Sequence, residues 1–311
     1  MAFISFLMPV KNEADYIGAA FESLRSQSMT DWEVIVVDDG STDTTAAVAA
    51  AWAEVEPRIK VFSNPGRGQS QALNFGFQQA SGQYIKFLDG DDLISPFLSE
   101  HIDEIISQDA TFHDLEIVDD HLRRINVLCL TSKCAEIGFA NFLKKIAPIP
   151  RGAWTISRRI GERLFPVPET IPFPHGDVWF ALVIKKNAQT MGYCGHPLYR
   201  YRQHAGQSYR GIYNFANDVV QRRAKAMLKI VSFIETQGVF LWESEPEGKQ
   251  IISTLKLYYE FLGKDPIGLR EIMKAPLPCL RRLKILVIRK FPGIASRVSR
   301  WKSGLHFRFL H

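Results

Sequence analysis

Short apolar runs alternate with amphipathic stretches along the first third of the chain, and this alternation limits the fold more than any other feature. Four such runs lie at 4–8, 34–37, 59–62 and 84–88. Between the first two, apolar residues recur at the spacing of one helix face, at Ile17, Ala20, Phe21 and Leu24. Strands joined through helices make right-handed crossovers in a parallel sheet. The sequence therefore predicts an α/β fold with a mainly parallel sheet flanked by helices.

Polar residues follow three of these predicted strands at the point where each strand ends. The three clusters are Lys11-Asn12-Glu13, Asp38-Asp39-Gly40 and Asp89-Gly90-Asp91-Asp92. The carboxyl ends of parallel strands meet at one edge of a sheet, and ligands of such sheets bind at that edge. We therefore expect the three clusters to lie together and to form the functional site.

Asp89 and Asp91 form a D-x-D pair at the end of the fourth strand. Carboxylate oxygens are the ligands that Mg²⁺ and Mn²⁺ prefer, and these ions keep positions open for phosphate oxygens. The pair is therefore a candidate metal-diphosphate site. A plain turn is the alternative, because Asp and Gly are common turn residues and D-x-D is a short motif.

Composition excludes several classes of protein. With 46% hydrophobic and 23% charged residues, the chain of 311 residues is neither disordered nor fibrous. Its four cysteines include no C-x-x-C pair, which excludes a disulfide scaffold or a zinc ribbon and fits reduced thiols in the cytoplasm.

The apolar N-terminus lacks a basic region and a cleavage site, so it predicts a strand and not a signal peptide. No apolar run approaches the roughly 20 residues of a membrane span.

The last part of the chain is basic, whereas the rest is mildly acidic. Residues 264–311 hold twelve Lys and Arg against two acids, a net charge of +10, while the whole chain carries +5. Apolar residues stand among these basic ones near helical spacing, at Leu280, Leu283, Val287 and Ile288. Such a helix can lie on an anionic membrane surface, or it can pack on the protein with a solvated basic face. We expect a helical, basic extension over 216–311, with an anionic membrane as its candidate partner.

Residues 4–96 resemble the N-terminal half of the family 2 inverting glycosyltransferases, which have the GT-A fold. The resemblance lies in the order and spacing of the motifs at 8–13, 24–27, 32–43, 68–76, 80–85 and 87–92. A weaker likeness continues to about residue 208. The resemblance implies a bacterial cell-surface polysaccharide enzyme at the cytoplasmic face of the membrane. Its donor would be a nucleotide-diphosphate sugar, most often a UDP-sugar, its cofactor Mn²⁺ or Mg²⁺, and its acceptor a hydroxyl of a lipid-linked or cell-surface glycan.

The resemblance also implies roles for single residues in the first half. Asp39 matches the carboxylate that accepts a hydrogen bond from the base. The segment that lies along the nucleoside corresponds to Pro9, Val10, Asn12 and Glu13. Asp91 matches the metal ligand, and Asp89 a ribose or metal contact. Lys11 stands where relatives often carry an aromatic residue that stacks on the base.

Two further segments match the family in the second half of the chain. Asp177 corresponds to the general base, although Gly176 replaces the acid that precedes it in relatives. An N-cap of the following helix is the structural alternative for Asp177. The segment at 199–208 resembles the family's Y-R-x-H motif, in which Arg202 and His204 face the diphosphate and His204 is a candidate third metal ligand. A strand with surface arginines and a structural histidine is the alternative there.

The expected domains are a GT-A catalytic domain at 1–215, with a nucleotide-sugar half at 1–96 and an acceptor half at 97–215, and the extension at 216–311. Prolines between 148 and 174 predict irregular loops around 154–158. The competing hypothesis is an inactive nucleotide-binding scaffold whose basic tail binds membrane or nucleic acid. Acidic residues at all three strand ends argue for the enzyme, for which no nucleic-acid partner is expected.

Overall fold

The computed structural model describes residues 4–139, 141–142, 149–169, 171, 176–204, 217–236, 246–264 and 268–290. The chain divides into two compact units. The first comprises Met1–Ile137, Pro148–Glu169 and Phe180–Gly206, and the second comprises Gly138–Ala147, Thr170–Trp179 and Gln207–His311. The predicted domain boundary at 215 and the end of the predicted extension at 291–311 lie outside the described residues. These domain bounds therefore stay a prediction.

The chain opens with the predicted alternation of strands and helices. Its first elements are β1 (Ile4–Val10), α1 (Ile17–Arg25), β2 (Trp32–Asp38), α2 (Thr45–Val55), β3 (Ile59–Ser63), α3 (Gln69–Gln79) and β4 (Tyr84–Phe87). The predicted face of α1 is buried, and every residue of β1 is buried. Burial on both faces is typical of a strand in a parallel sheet that is covered by helices.

Shorter strands and helices follow β4. They are β5 (Leu93–Ile94), α4 (Ile102–Ile105), β6 (Ala110–Val118), β7 (Arg124–Leu128), α5 (Lys133–Glu136), β8 (Trp154–Ser157), α6 (Arg158–Leu164), α7 (Gly176–Asn187) and β9 (Met191–Arg202). A 3₁₀ turn at Leu98–His101 precedes α4, and another at Arg151–Ala153 precedes β8.

One sheet of nine strands joins these elements in the order β3-β2-β1-β4-β8-β6-β9-β5, with β7 paired to β6. The first four strands in this order are parallel, as predicted. Beyond β4 the sheet is mixed, because β8 runs antiparallel to both β4 and β6, whereas β6 and β9 are parallel. The expectation of a mainly parallel sheet therefore holds only for the half that is built from helical crossovers. A short turn such as the one between β6 and β7 can join only antiparallel strands.

The expectation of irregular loops around 154–158 is wrong. Residues 154–157 form β8, which lies between β4 and β6 in the sheet, and Trp154 and Ile156 are fully buried. The prolines that suggested loops stand on either side of this segment, at Pro150 and Pro166, so they do not remove a hydrogen bond from the ladder.

A buried carboxylate ties the parallel strands together. Glu33 on β2 accepts hydrogen bonds from Ser5 on β1, at 2.6 Å, and from Lys60 on β3, at 2.6 Å. The Ser81 amide, just before β4, donates to the same carboxylate at 2.7 Å. Burial alone would raise the pKa of Glu33, but these hydrogen bonds together lower it. The charge is therefore stabilised by donors from three other segments of the sheet at once.

The second unit is helical where it is described, as predicted for the extension. It contains α8 (Asn217–Thr236), α9 (Pro246–Gly263), α10 (Leu269–Lys274) and α11 (Cys279–Lys290). Its apolar core consists of Val220, Ala224, Leu262, Ile272, Ala275, Leu277 and Ile285. Among the described residues, we find no helix with the length and apolar character needed to cross a bilayer.

Candidate active site

The three polar clusters meet at the carboxyl edge of the parallel strands. Val10 at the end of β1 pairs with Asp38 at the end of β2, and the Asp39 amide donates to the Val10 carbonyl at 2.9 Å. The Leu88 amide, after β4, donates to the Leu7 carbonyl of β1 at 3.1 Å. The expected convergence is therefore present, because parallel register brings all three strand ends to the same edge.

Asn12 fastens the loop after β1 to the loop after β2. The side-chain oxygen of Asn12 accepts a hydrogen bond from the Thr42 backbone amide at 2.8 Å. The backbone amide of Asn12 donates to the Ser41 hydroxyl at 3.0 Å. Its φ of 57° lies in the left-handed region, which asparagine tolerates better than most residues. The side chain predicted to contact the nucleoside therefore also shapes the loop on which such a contact depends.

Asp39 contacts the loop that precedes α3. One carboxylate oxygen accepts from the Gly68 amide at 2.7 Å and from the Asn64 side chain at 2.6 Å. The other oxygen lies 3.6 Å from the Lys11 ammonium. The neighbouring Asp38 accepts instead from the Ser41 amide at 3.2 Å, within the turn that follows β2. Of the two aspartates, Asp39 is the one that keeps an oxygen beside a cationic side chain.

Glu13 and the D-x-D segment are in direct contact. A Cβ at Gly90 would lie 2.1 Å from Glu13 Oε2 and 2.8 Å from Val10 Cγ1, so only glycine permits this approach. Burial, followed by the charges of Asp91 and Asp89, raises the pKa of Glu13 to about 9. Burial and the charge of Asp89 also raise the pKa of Asp91. The three carboxyl groups therefore form a crowded acidic centre.

This acidic centre fits a hard divalent cation. Glu13 Oε2 is buried and has no hydrogen-bond partner among the described residues. His204 Nε2 lies 3.0 Å from Asp91 Oδ2, so the imidazole predicted as a third ligand stands next to the predicted metal-binding carboxylate. Oxygen donors that repel one another, with one imidazole beside them, are a donor set that Mg²⁺ or Mn²⁺ can occupy.

Arg151 makes an ion pair with Asp89 that the sequence did not predict. The guanidinium is buried, and Asp89 is half-buried. The 3₁₀ turn before β8 carries this arginine, and the Gln69 side chain at the start of α3 lies 2.9 Å from it. Arg151 belongs to no recognisable sequence motif, which is why its role was not predicted from the sequence.

Asp92 joins the D-x-D segment to β9, and no role was predicted for it. Its carboxylate accepts from the Tyr199 hydroxyl at 2.7 Å and from the Arg202 amide at 2.8 Å. Burial, together with the charges of Asp91 and Asp89, raises its pKa well above the usual value. The last acid of the D-G-D-D run therefore has a structural task, which is to hold the end of β9 against the acidic centre.

Arg202 and His204 both pack against Tyr16. The Arg202 guanidinium carbon lies 5.0 Å from the centre of the Tyr16 ring, and the His204 ring centre lies 4.2 Å from it. Both side chains are mostly buried. The predicted diphosphate residues are therefore held in fixed positions, and the alternative of a surface strand with solvated arginines does not apply to Arg202.

A buried lysine and histidine lie in the sheet below this site. Lys86 Nζ contacts His113 Nε2 at 2.6 Å and donates to the Gly152 carbonyl at 3.2 Å. His113 Nδ1 lies 2.7 Å from the Asp114 carbonyl and must donate to it, so Nε2 is the atom that accepts from Lys86. Burial lowers the pKa of Lys86 to about 7 and that of His113 well below its usual value. Neither residue belongs to a motif, so their pairing was not predictable.

The remaining predicted residues are placed as follows. Pro9 and Val10 are buried in β1 next to the Glu13 loop. Asp177 stands in the first turn of α7, is half-buried, and belongs to the second unit. His175, which precedes α7 in the chain, lies outside the described residues.

Comparison with known proteins supports the predicted family. Residues 5–126, which are 122 of the 311 residues, match the family model described as Glycosyl transferase family 2. The chain is 37% identical over 99 residues to the putative glycosyltransferase EpsH of Bacillus subtilis, a match that covers 32% of this chain and 29% of that protein. The first curated relatives are covered over only 29% to 53% of their lengths.

Solved structures of similar shape confirm the predicted GT-A fold. The S. aureus TarS 1–349 structure has a TM-score of 0.62 at 17% identity, and the match covers 97% of this chain and 91% of that chain. TarS 1–349 has also been solved with UDP-GlcNAc and with UDP. The mannosyltransferase PcManGT of Pyrobaculum calidifontis, in complex with GDP-Man and Mn²⁺, has a TM-score of 0.58 at 18% identity, with 96% of this chain and 87% of that chain covered.

Replacement of Glu13 by Gln should change how stability depends on pH. The pKa of Glu13 is raised to about 9 in the folded protein, so between about pH 4.5 and 9 the folded state holds a proton that the unfolded state has lost. In that range each pH unit removes up to about 1.4 kcal/mol of stability from the wild type. The Glu13→Gln variant has no carboxyl group at this position, so its stability does not fall for this reason. The stability advantage of the variant should therefore grow with pH.

Urea unfolding of both proteins in a metal chelator at pH 5 and pH 8 measures this difference. The matched control is Glu54→Gln, because Glu54 is exposed on α2. A stability difference that stays constant between the two pH values would show that Glu13 is ionised in the folded protein.

Proposed function

We propose that this chain is an inverting glycosyltransferase, which moves a sugar from a nucleotide-diphosphate sugar to a hydroxyl acceptor. The observation that carries the proposal is the acidic centre of Glu13, Asp89 and Asp91, with His204 beside it, at the carboxyl edge of the sheet. The match of residues 5–126 to glycosyl transferase family 2 supports it. The UDP-GlcNAc held by TarS and the GDP-Man and Mn²⁺ held by PcManGT support a nucleotide-sugar donor.

The nucleoside is proposed to bind along the end of β1, against Pro9, Val10 and Asn12, with the base at Asp39. The oxygen of Asp39 that faces Lys11 can accept a hydrogen bond from a base N–H, which is a charge-assisted bond. UDP is the proposed nucleotide, because a uracil ring offers one such N–H beside its carbonyl oxygens. The Lys11 side chain can cover the base with its aliphatic stem or contact a phosphate.

The diphosphate is proposed to bind at the acidic centre with Mn²⁺ or Mg²⁺. Asp91, Asp89 and His204 are the residues that would hold the cation, which when bound neutralises the charge of the leaving diphosphate. Arg202, held beside Tyr16, and Arg151, paired with Asp89, add positive charge around the same group. The buried position of both arginines strengthens their attraction for phosphate, because the local dielectric is low.

Asp177 is proposed as the general base. Its position in the first turn of α7, half-buried, suits a carboxylate that accepts one proton from the acceptor hydroxyl as that oxygen attacks the anomeric carbon. The bond from the anomeric carbon to the diphosphate breaks in the same step, which inverts the configuration. A carboxylate with an ordinary pKa can act here, because the hydroxyl loses its proton late in the reaction.

The acceptor is proposed to be a lipid-linked or cell-surface glycan at the inner face of a bacterial membrane. Three large apolar side chains of α10 and α11 are exposed, Met273 at 53%, Leu280 at 79% and Leu283 at 52%. Basic residues surround them, at Arg270, Lys274, Arg281, Arg282 and Lys284. Apolar side chains among cationic ones suit an anionic lipid surface.

Asp91→Asn tests the cation and the donor. Removal of a cation ligand should cost at least about 100-fold in transfer rate, and it should abolish any thermal stabilisation by UDP that requires Mn²⁺ or Mg²⁺. The matched control is Asp31→Asn, an exposed aspartate before β2. Assay of a donor panel by thermal shift and sugar release gives both readouts. Wild-type rates in Asp91→Asn would contradict the site, and absence of transfer and of cation-dependent binding in the wild type would favour the inactive scaffold.

Asp177→Asn tests the general base. The amide keeps the shape and the helix position but cannot accept the proton, so kcat should fall by about 100-fold or more while donor binding stays normal. Glu162→Gln, a change at an exposed acid on α6, is the control. Steady-state kinetics and donor titration separate the two effects. A weaker donor affinity with an unchanged kcat would make Asp177 a binding residue.

Leu280→Ser with Leu283→Ser tests the membrane surface. The full chain should sediment with anionic but not with neutral vesicles, and high salt should release it, because each basic residue near the surface contributes about 1 kcal/mol. The double variant should lose most of this binding. Val55→Ser is the control, because Val55 is a 72% exposed apolar residue of α2. Equal sedimentation of the double variant, or none for the full chain, would retire the proposal.

A further inference from the structure

A second group of potential metal ligands lies elsewhere in the first unit. His101, Glu104 and Cys194 each offer one ligand atom, and these atoms all lie within 4.8 Å of one another. Among the described residues they combine an imidazole nitrogen, a carboxylate oxygen and a thiol sulfur in one place. The proposed glycosyltransferase reaction uses none of the three.

An irregularity in β9 builds one side of this cluster. The pairing of β6 with β9 passes from His113 opposite Cys194 directly to Asp114 opposite Pro197, so Gly195 and His196 are extra residues on β9. Such a bulge bends a strand and redirects its side chains. Here it leaves Cys194 fully buried, while His196 is exposed. The His196 ring stacks on the His101 ring, with centres 4.0 Å apart and planes 22° apart.

The segment around α4 builds the other side. His101 ends the 3₁₀ turn and Glu104 lies three residues later in α4, a spacing that brings two side chains to the same face. His101 Nδ1 is 3.7 Å from Glu104 Oε2. Glu104 is half exposed, so a cation can reach the cluster from solvent. The ligand atoms therefore come from two separate parts of the fold. The 3₁₀ turn and α4 form one part, and β9 is the other.

The donor set differs in kind from that of the acidic centre. Cysteine, histidine and glutamate are ligands of Zn²⁺, which is usually tetrahedral and accepts three protein ligands with water as the fourth. Thiolate ligands select such metals over Mg²⁺ and Mn²⁺. Cys194 pairs with His113 and Arg202 pairs with Val118, five residues further along β6, so at about 3.3 Å per residue Cys194 and Arg202 are roughly 17 Å apart.

We propose that His101, Glu104 and Cys194 bind one zinc-type dication, which links α4 to β9. The imidazole nitrogen, one carboxylate oxygen and the sulfur are its three protein ligands. Cys194 gives up its thiol proton to solvent when the metal binds, so affinity rises with pH.

Titration of the full, metal-free chain with Co²⁺ tests this proposal. A sulfur ligand gives Co²⁺ an intense near-ultraviolet charge-transfer band, which oxygen ligands at the acidic centre do not produce. We expect the band to saturate at about one equivalent and Zn²⁺ to displace it. Cys194→Ser should abolish it, whereas Cys129→Ser and Cys279→Ser, changes at the half-buried and the exposed thiol, should keep it.

His101→Ala and Glu104→Gln extend the test to variants that leave the buried thiol in place. Loss of one ligand should weaken Co²⁺ binding by at least about tenfold, and Zn²⁺ should then raise the melting temperature less than in the wild type. Should Cys194→Ser fail to fold, these two variants decide the outcome. Absence of the charge-transfer band in the wild type, its survival in Cys194→Ser, or unchanged affinity in both ligand variants would overturn the proposal.

Discussion

The Asp92 carboxylate is the contact on which the geometry of the acidic centre depends. It accepts from the Tyr199 hydroxyl and from the Arg202 amide, so it joins the segment after β4 to the end of β9. The Tyr199 hydroxyl also accepts from the Asp89 amide at 3.2 Å. Two hydrogen bonds to one buried carboxyl group therefore bring His204 to Asp91 and set the spacing of the proposed cation ligands. Loss of either bond would leave a buried polar group unpaired, which is costly.

The acidic centre is stable only because the rest of the sheet holds it. Burial and neighbouring negative charges raise the pKa values of Glu13 and Asp91, so these two groups are costly to ionise together. The Glu33 carboxylate, in contrast, accepts hydrogen bonds from three other segments, and its charge is stabilised. The Glu33 carboxylate thus stabilises the fold. The carboxyl groups of the acidic centre instead repel one another, and a bound divalent cation would reduce that repulsion. Proteins commonly keep such unfavourable local interactions at functional sites and compensate for them elsewhere in the fold.

The two proposed cation sites differ in their ligand atoms. The acidic centre offers carboxylate oxygens with one imidazole beside them, and the cluster of His101, Glu104 and Cys194 offers sulfur as well as nitrogen and oxygen. β9 carries Cys194 near its start, and it ends at Arg202, two residues before His204. The proposed zinc-type site would therefore stiffen the same strand that presents Arg202 and His204 to the diphosphate.

The sequence by itself determined the alternation of strands and helices and the meeting of three polar clusters at one edge. Helix faces and strand ends are local patterns, and parallel register alone brings the ends together. Only the tertiary structure decided which partners these residues have. Arg151 reaches Asp89 across 62 residues and Tyr199 reaches Asp92 across 107, and β8 is a strand because two neighbours bury it. Contacts between such distant positions leave no periodic trace in the chain, because they arise when packing excludes water from a charge and forces it to find a partner.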